Sequence, residues 1–209
     1  MDTTATILAV SSPPGRSVRG LIRVSGPEAF PLVRDAVTPP PTPESRGIGV
    51  ARLHLGEQRL PILLLTAPGP GTATGEDVVE LQLPGNPALL ARVVDELIER
   101  GRNAGLDVRV AEPGEFTARG YFNGRCSLTE AEGIAATIAA QSDAQLQAAA
   151  MLRTGRLGTV AAELSEAIAG VLALVEAGID FSDEEDVVAI APGPLLDRIT
   201  PVRSRIGDV

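Results

Sequence analysis

Two side chains of opposite charge lie in runs that are otherwise typical of β-strands. Alternation along Asp77–Leu83 places Glu80 on the same face as Gln82, so a carboxylate projects from a rigid strand. Arg23 interrupts the apolar run Val18–Ser25 in the same way. An arginine and a glutamate held on strands could clamp a ligand, because a carboxylate accepts two parallel N–H bonds from an amidine-like ring edge. Spacing alone favours the commoner alternative, a structural ion pair.

Four other features have the residue types of a site but not its context. His54 is the single histidine, without a second ligand nearby, so we expect a surface residue. Cys126 follows an arginine but has no histidine partner, which favours a small buried residue. The acidic run Asp180–Asp186 lacks the spacing of a calcium loop and is predicted to be solvated surface. The glycine-rich run Gly69–Gly75 precedes a predicted strand, whereas a phosphate loop precedes a helix.

Composition narrows the chemistry further. All 18 basic residues are arginine, which excludes a P-loop lysine, a Schiff-base lysine and a Ser–Lys pair. The net charge of −9 argues against a large nucleic-acid footprint on this chain. The single cysteine excludes an internal disulfide. We find neither a signal peptide nor an apolar run of membrane-spanning length, so we expect a cytoplasmic protein without membrane contact.

The first half of the chain alternates short apolar runs with Gly- and Pro-rich turns, which predicts an α+β domain with a mixed sheet and flanking helices. Asn86 and Pro87 are typical of a helix start, and Gly101 is the predicted end of that helix. A short helix is also predicted near Pro27–Ala36. The predicted strands are Thr4–Val10, Val18–Ser25, Ile48–Leu55, Leu60–Thr66, Asp77–Leu83 and Leu106–Ala111.

The second half has helical periodicity from Leu128 onward. Thr129 and Glu132 have the spacing of a capping box. The stripe Leu157–Val175 places apolar residues three and four apart, so a long helix needs a partner for this face, either within the chain or in a second copy. Pro192–Ile206 is predicted to form a further helix, disturbed by Pro201.

The stretch Pro113–Ala136 joins the two halves and holds three of the five aromatic residues. We expect these aromatic rings to pack between two layers and the stretch to act as a hinge. The predicted domains are residues 1–118, an α+β domain, and residues 119–209, a long-helix subdomain.

Five stretches resemble one family, the tRNA modification GTPase MnmE (also called TrmE), in its N-terminal folate-binding domain and the start of its helical domain. They occur in the family's order and approximate spacing across nearly the whole chain. The stretches are SPPGR with GLIRVSG (from Ser12), TGEDVVELQ (from Thr74), EPGEF (from Glu112), FNGR with LTEA (from Phe122) and VEAGIDF (from Val175).

The resemblance implies a domain similar to one-carbon folate enzymes that dimerises and binds 5-formyl- or 5,10-methylene-tetrahydrofolate. Arg23, Glu80 and Arg125 match the family's folate contacts. Glu80 would contact the pterin amino group and ring N–H, while the two arginines would orient the ring and the acidic tail. Family members act with an FAD protein, MnmG (GidA), to form 5-carboxymethylaminomethyl-type groups on wobble uridine 34. We expect tRNA contact through that complex; GTP, Mg²⁺ and K⁺ are expected only in full-length relatives.

The sequence departs from the family at several points. Leu83-Pro84-Gly85-Asn86 replaces a Gly-His-Gly-Gly run, Ser17-Val18 replaces two glycines, and Cys126-Ser127 replaces Leu-Asp. No Walker A sequence is present, so we expect either a fragment or a shortened relative that does not hydrolyse GTP by the family mechanism. The alternative hypotheses are a scaffold module that keeps the dimer but has lost folate, and a stand-alone aminomethyl transferase, for which no general base stands out.

Overall fold

The computed structural model describes residues 4–42, 46–180 and 191–207. The chain divides into two compact units, Met1–Ala131 and Glu132–Val209. The predicted boundary after residue 118 falls inside a helix, Glu115–Phe122, of the first unit.

The first unit is built on one seven-stranded sheet. Its order is β3-β4-β5-β6-β2-β1-β7, with antiparallel neighbours except for the parallel pair β1–β7. This mixed sheet with flanking helices confirms the predicted α+β class. The strands are β1 Thr6–Val10, β2 Ser17–Ser25, β3 Val37–Thr38, β4 Gly47–Leu55, β5 Gln58–Ala67, β6 Val78–Gly85 and β7 Val108–Val110; the helices are α1 Ala29–Arg34, α2 Pro87–Asn103 and α3 Glu115–Phe122.

One face of the sheet forms the hydrophobic core against α1 and α2. Val79 and Leu81 on β6 are fully buried there, as are Val93 and Leu97 on α2. Because side chains alternate along a strand, β6 must direct Glu80 to the opposite face of the sheet. The predicted alternation of this strand is thus confirmed, and it is what places a carboxylate outside the core.

The predicted start of α2 is confirmed and its predicted end is wrong. The Asn86 side chain accepts hydrogen bonds from the amides of Ala88 (3.0 Å) and Leu89 (3.4 Å), and Pro87 is the first helical residue. Gly101 lies inside the helix, where an added Cβ would lie 2.9 Å from Val108 Cγ2. Gly101 therefore allows α2 and β7 to pack closely, and it does not end the helix.

The helix after α3 begins at Leu128, where the helical periodicity begins, but its predicted cap is wrong. It spans Leu128–Ala139 (α4) and is capped by Ser127, not Thr129. The Ser127 amide donates to Glu130 Oε2 at 2.6 Å, and the Glu130 amide donates to Ser127 Oγ at 3.2 Å. This reciprocal pair is a capping box of the expected kind, placed on the earlier of two overlapping motifs.

The second unit is helical, as predicted. It contains α5 Asp143–Arg153, α6 Arg156–Asp180 and α7 Pro192–Gly207, in which Pro201 lies within the helix. Helix α6 contacts both α5 and α7, and an ion pair joins Glu163 of α6 to Arg205 of α7. Ile168, part of the predicted apolar stripe, remains 51% exposed. The predicted acidic surface extends into residues 181–190, outside the described residues.

Among the helices of the described residues, one is long and apolar enough to cross a membrane by length and composition alone. It is Gly158–Asp180 of α6, with a mean hydropathy of 1.6. Carboxylates of Glu163, Glu166 and Glu176 interrupt its apolar residues, and burying such groups in a bilayer is costly. The absence of membrane contact stays a prediction.

Candidate functional site

The two charged residues singled out on strands form one pair. Arg23 on β2 and Glu80 on β6 are direct cross-strand neighbours. Arg23 Nε and Nη2 both lie 2.7 Å from Glu80 Oε1. The side chains are 32% and 15% exposed, so the pair is reachable from solvent. The sheet therefore fixes a cation and an anion side by side on the face opposite the core.

The pair retains hydrogen-bonding capacity for a ligand. Both contacts from Arg23 go to Oε1 of Glu80, and no hydrogen bond to Oε2 occurs within the described ranges. A carboxylate oxygen on a half-open face can accept an N–H from an incoming group. The ring of Phe116, on α3, lies 5.6 Å from the Arg23 guanidinium carbon, which is within cation–π range. The acceptor oxygen of Glu80 and the neighbouring aromatic ring fit a flat heteroaromatic ring that carries N–H groups.

Arg125, the third predicted ligand residue, is held by the loop before β6. Its Nε donates to the carbonyl of Thr72 at 3.2 Å. Gly75 in the same loop has φ +78° and lies so close that an added Cβ would be 2.9 Å from Asn123 Cβ. The hydrogen bond from Arg125 to Thr72 anchors the loop. Contact of Arg125 with a ligand stays a prediction.

A chain of four charged side chains, two of them buried, lies beside the Arg23–Glu80 pair. Arg109 on β7 makes two hydrogen bonds to Glu115, at 2.6 and 2.8 Å. Arg119, one helical turn later on α3, lies 3.1 Å from Glu115 and 3.0 Å from Glu76. Arg119 and Glu115 are almost fully buried. Because buried charges are costly unless paired, these four residues must fold as a unit, here called the buried ion network.

The ion network has a measurable electrostatic signature. Hydrogen bonds from Arg109 lower the pKa of Glu115 from 4.5 to about 2, assisted by the Glu112 amide and Arg119 and opposed by burial. Glu115 is therefore ionised throughout the physiological range. A permanently charged carboxylate between two guanidinium groups is suited to rigid positioning and not to proton transfer.

Comparisons with known sequences cover both units. The sequence model described as GTP-binding protein TrmE N-terminus matches residues 6–125. A second, the MnmE helical domain, matches residues 128–209. The first match alone spans more than half of the chain.

The chain belongs to the MnmE family. Among relatives named tRNA modification GTPase MnmE, that of Halorhodospira halophila is 38% identical over 91% of this chain. Those of Phenylobacterium zucineum and Alkalilimnicola ehrlichii are 39% and 41% identical over 94% and 97%. The chain covers 39%, 42% and 46% of these relatives' own lengths, so it spans less than half of each.

The structure also shows what the departures from the MnmE family pattern do. Leu83 is fully buried in the core, and β6 continues to Gly85. Leu83-Pro84-Gly85, which replace part of the family's glycine run, thus belong to strand β6. Ser17 pairs with Gly85 at the start of β2, so the two altered stretches lie side by side.

Two weaker candidates have ordinary surroundings. His54 is half-buried, and its Nε2 lies 3.1 Å from Thr38 Oγ1. Cys126 is a half-buried free thiol. Tyr121 and Phe122 are 41% and 64% exposed, so the expected packing of these rings between two layers is wrong.

Sequence reasoning missed the buried ion network. Glu76 lies far from the other three members in the chain. Among those three, only Glu115 and Arg119 have a local signal, the four-residue spacing of a helical ion pair. Phe116 was noted as an aromatic residue and not as a neighbour of Arg23. The resembling runs TGED and EPGEF each contain one network glutamate, which was the available signal.

Proposed function

We propose that this chain is the tetrahydrofolate-binding and dimerising part of an MnmE-like tRNA modification GTPase. The observation that carries the proposal is the Arg23–Glu80 pair, in the family's folate-contact positions, on the open face of the sheet with Phe116 beside it. Glu80 would accept from the pterin amino group and ring N–H. Arg23 would orient the ring, and Arg125 would contact the acidic tail.

Membership of the MnmE family supports a wider role. The cofactor would be 5-formyl- or 5,10-methylene-tetrahydrofolate, which supplies the one-carbon unit. The chain would act as a homodimer in the cytoplasm with an MnmG-like FAD protein. Together they would form 5-carboxymethylaminomethyl-type groups on wobble uridine 34, with tRNA held through the complex. GTP hydrolysis would belong to the remainder of a full-length relative.

A titration of the 209-residue chain with 5-formyl-tetrahydrofolate tests the ligand assignment. We expect about one site per chain, and loss of measurable binding in Arg23→Ala and Glu80→Ala with an unchanged circular dichroism spectrum. Each substitution leaves the other charged residue of the pair without its counterion. Because that residue is partly exposed to solvent, we expect the seven-stranded sheet to remain folded. Glu96→Gln, which removes one partner of a comparable ion pair on α2 (Arg100 Nη2–Glu96 Oε1, 2.9 Å), is the control.

The scaffold alternative is favoured by one observation, the strand that replaces a glycine-rich edge at Leu83–Gly85. A folded, dimeric chain that binds no folate would support it. Binding retained in both variants would instead show that the ligand lies elsewhere.

A further inference from the structure

We propose that the buried ion network is a positioning device for the Arg23–Glu80 pair, with Glu76 and Arg119 as positioning residues that act through Phe116. The inference rests on the proposed ligand-binding role of that pair. It goes further because it assigns a part in binding to residues that would not touch the ligand.

Ion pairs immobilise helix α3 on two sides. Glu115 ties its first turn to Arg109 of β7, and Arg119 ties its second turn to Glu76 in the loop before β6. Phe116 follows Glu115 directly, so its ring moves with the tethered turn. A helix of eight residues has little stability of its own, so these ion pairs set its position.

A hydrogen bond connects the buried ion network to strand β2. Glu76 Oε2 accepts a hydrogen bond from Ser25 Oγ at 2.8 Å, and Ser25 Oγ also lies 2.7 Å from Thr74 Oγ1. Ser25 is two residues from Arg23 on the same strand and therefore on the same face. One carboxylate thus holds both the helix that carries Phe116 and the strand that carries Arg23.

The position of α3 affects the mobility of the Arg23 side chain. An arginine side chain has many rotamers, and its guanidinium group can leave a single carboxylate partner readily. The Phe116 ring lies 5.6 Å from the guanidinium carbon of Arg23, and Glu80 accepts a hydrogen bond from its Nε. Displacement of α3 would remove the contact with the ring, and Arg23 would then spend time away from Glu80. Ligand affinity would fall although no contact residue had changed.

A ligand-free measurement tests the positioning directly. The Nε–H signal of Arg23 can be followed by ¹⁵N NMR and assigned by its disappearance in Arg23→Lys. We expect Glu76→Gln to shift this signal and to raise its solvent exchange about fivefold, equivalent to about 1 kcal/mol. Glu96→Gln should leave it unchanged. An Arg23 signal that is as unaffected by Glu76→Gln as by the control would overturn the proposal.

Ligand titrations then separate positioning from general destabilisation. With 5-formyl-tetrahydrofolate we expect Glu76→Gln to weaken binding about tenfold and Arg119→Lys, which keeps the charge, to weaken it less. In a Phe116→Leu background the same Glu76→Gln change should cost under about twofold, because the ring through which it acts is gone. An equal loss in both backgrounds would show a purely structural network.

The two proposals fail in different ways. A wild-type chain that binds no folate refutes the proposed ligand, while the Arg23 signal still decides whether the network positions that side chain. A chain that binds folate but shows no Arg23 response to Glu76→Gln refutes the positioning and leaves the ligand assignment intact.

Discussion

Glu115 allows the sharpest test of the electrostatics, because a single carboxylate carries a large, one-directional pKa shift. Its folded-state pKa of about 2 lies below its ordinary value of 4.5. A depressed pKa stabilises the fold above the unfolded-state value, and the stabilisation is lost as the pH falls toward the folded-state value. The shift of about 2.5 units corresponds to about 3 kcal/mol, which should disappear between about pH 5 and pH 2.

The comparison of wild type with Glu115→Gln isolates this contribution. Carboxylates outside the buried ion network titrate alike in both proteins, so they cancel in the difference between the two free energies of unfolding. At pH 7 the variant should be about 3–5 kcal/mol less stable, since it removes a counterion of Arg109 and leaves the buried Arg119 with Glu76 as its remaining carboxylate in the network. By pH 2.5 most of that difference should be gone.

The chain provides its own probe. Tyr121 is the single tyrosine, there is no tryptophan, and Tyr121 lies on α3 in the first unit. Urea denaturation followed by tyrosine emission therefore reports on the unit that contains Glu115. A stability difference that stays constant from pH 6 to pH 2.5 would refute the assignment of a charged Glu115 between Arg109 and Arg119.

Three further substitutions test local packing. Gly75→Ala should cost at least about 1 kcal/mol in urea titrations, because φ is +78° and the new Cβ would lie 2.9 Å from Asn123 Cβ; an unchanged midpoint would contradict this close approach. Ser127→Ala should destabilise α4 by about 1 kcal/mol through loss of the box with Glu130, seen as lower helical ellipticity, whereas Thr129→Ala should not. Leu97→Ala, at a fully buried site, should cost about 2–5 kcal/mol, and a loss under 1 kcal/mol would mean that α2 is not packed as described.

Among the described residues of the first unit, local patterns predicted six of the seven strands and two of the three helices that precede α4, and did not predict β3 and α3. Alternation predicted that Glu80 faces away from the core, and Asn86-Pro87 predicted the start of α2. The errors arose where two local motifs compete. Ser127 and Thr129 each have a glutamate three residues later, and only the surrounding turn decides between them. Gly101 resembles a helix stop, but the left-handed glycine after α2 is Gly105, with φ +72°.

The candidate site was only half accessible to sequence reasoning. Arg23 and Glu80 could be singled out because each is a charge in an apolar strand, yet their pairing depends on the register of β2 and β6, which are far apart in the chain. Glu76 and Arg119 are ordinary surface residue types, and nothing local indicates that Arg119 is buried. Burial of a charge is decided by tertiary contacts, which spacing does not encode.

The parallel pairing of β1 with β7 has a consequence for synthesis on the ribosome. β1 emerges first, but its outer neighbour follows about 100 residues later, about 5–20 s at ordinary translation rates. During that interval β1 presents an unpaired edge to other nascent chains. β7 then covers the edge of β1 with a strand of only three residues and brings Arg109 to Glu115. A ribosome that stalls before residue 108 would therefore leave the outer edge of β1 unpaired.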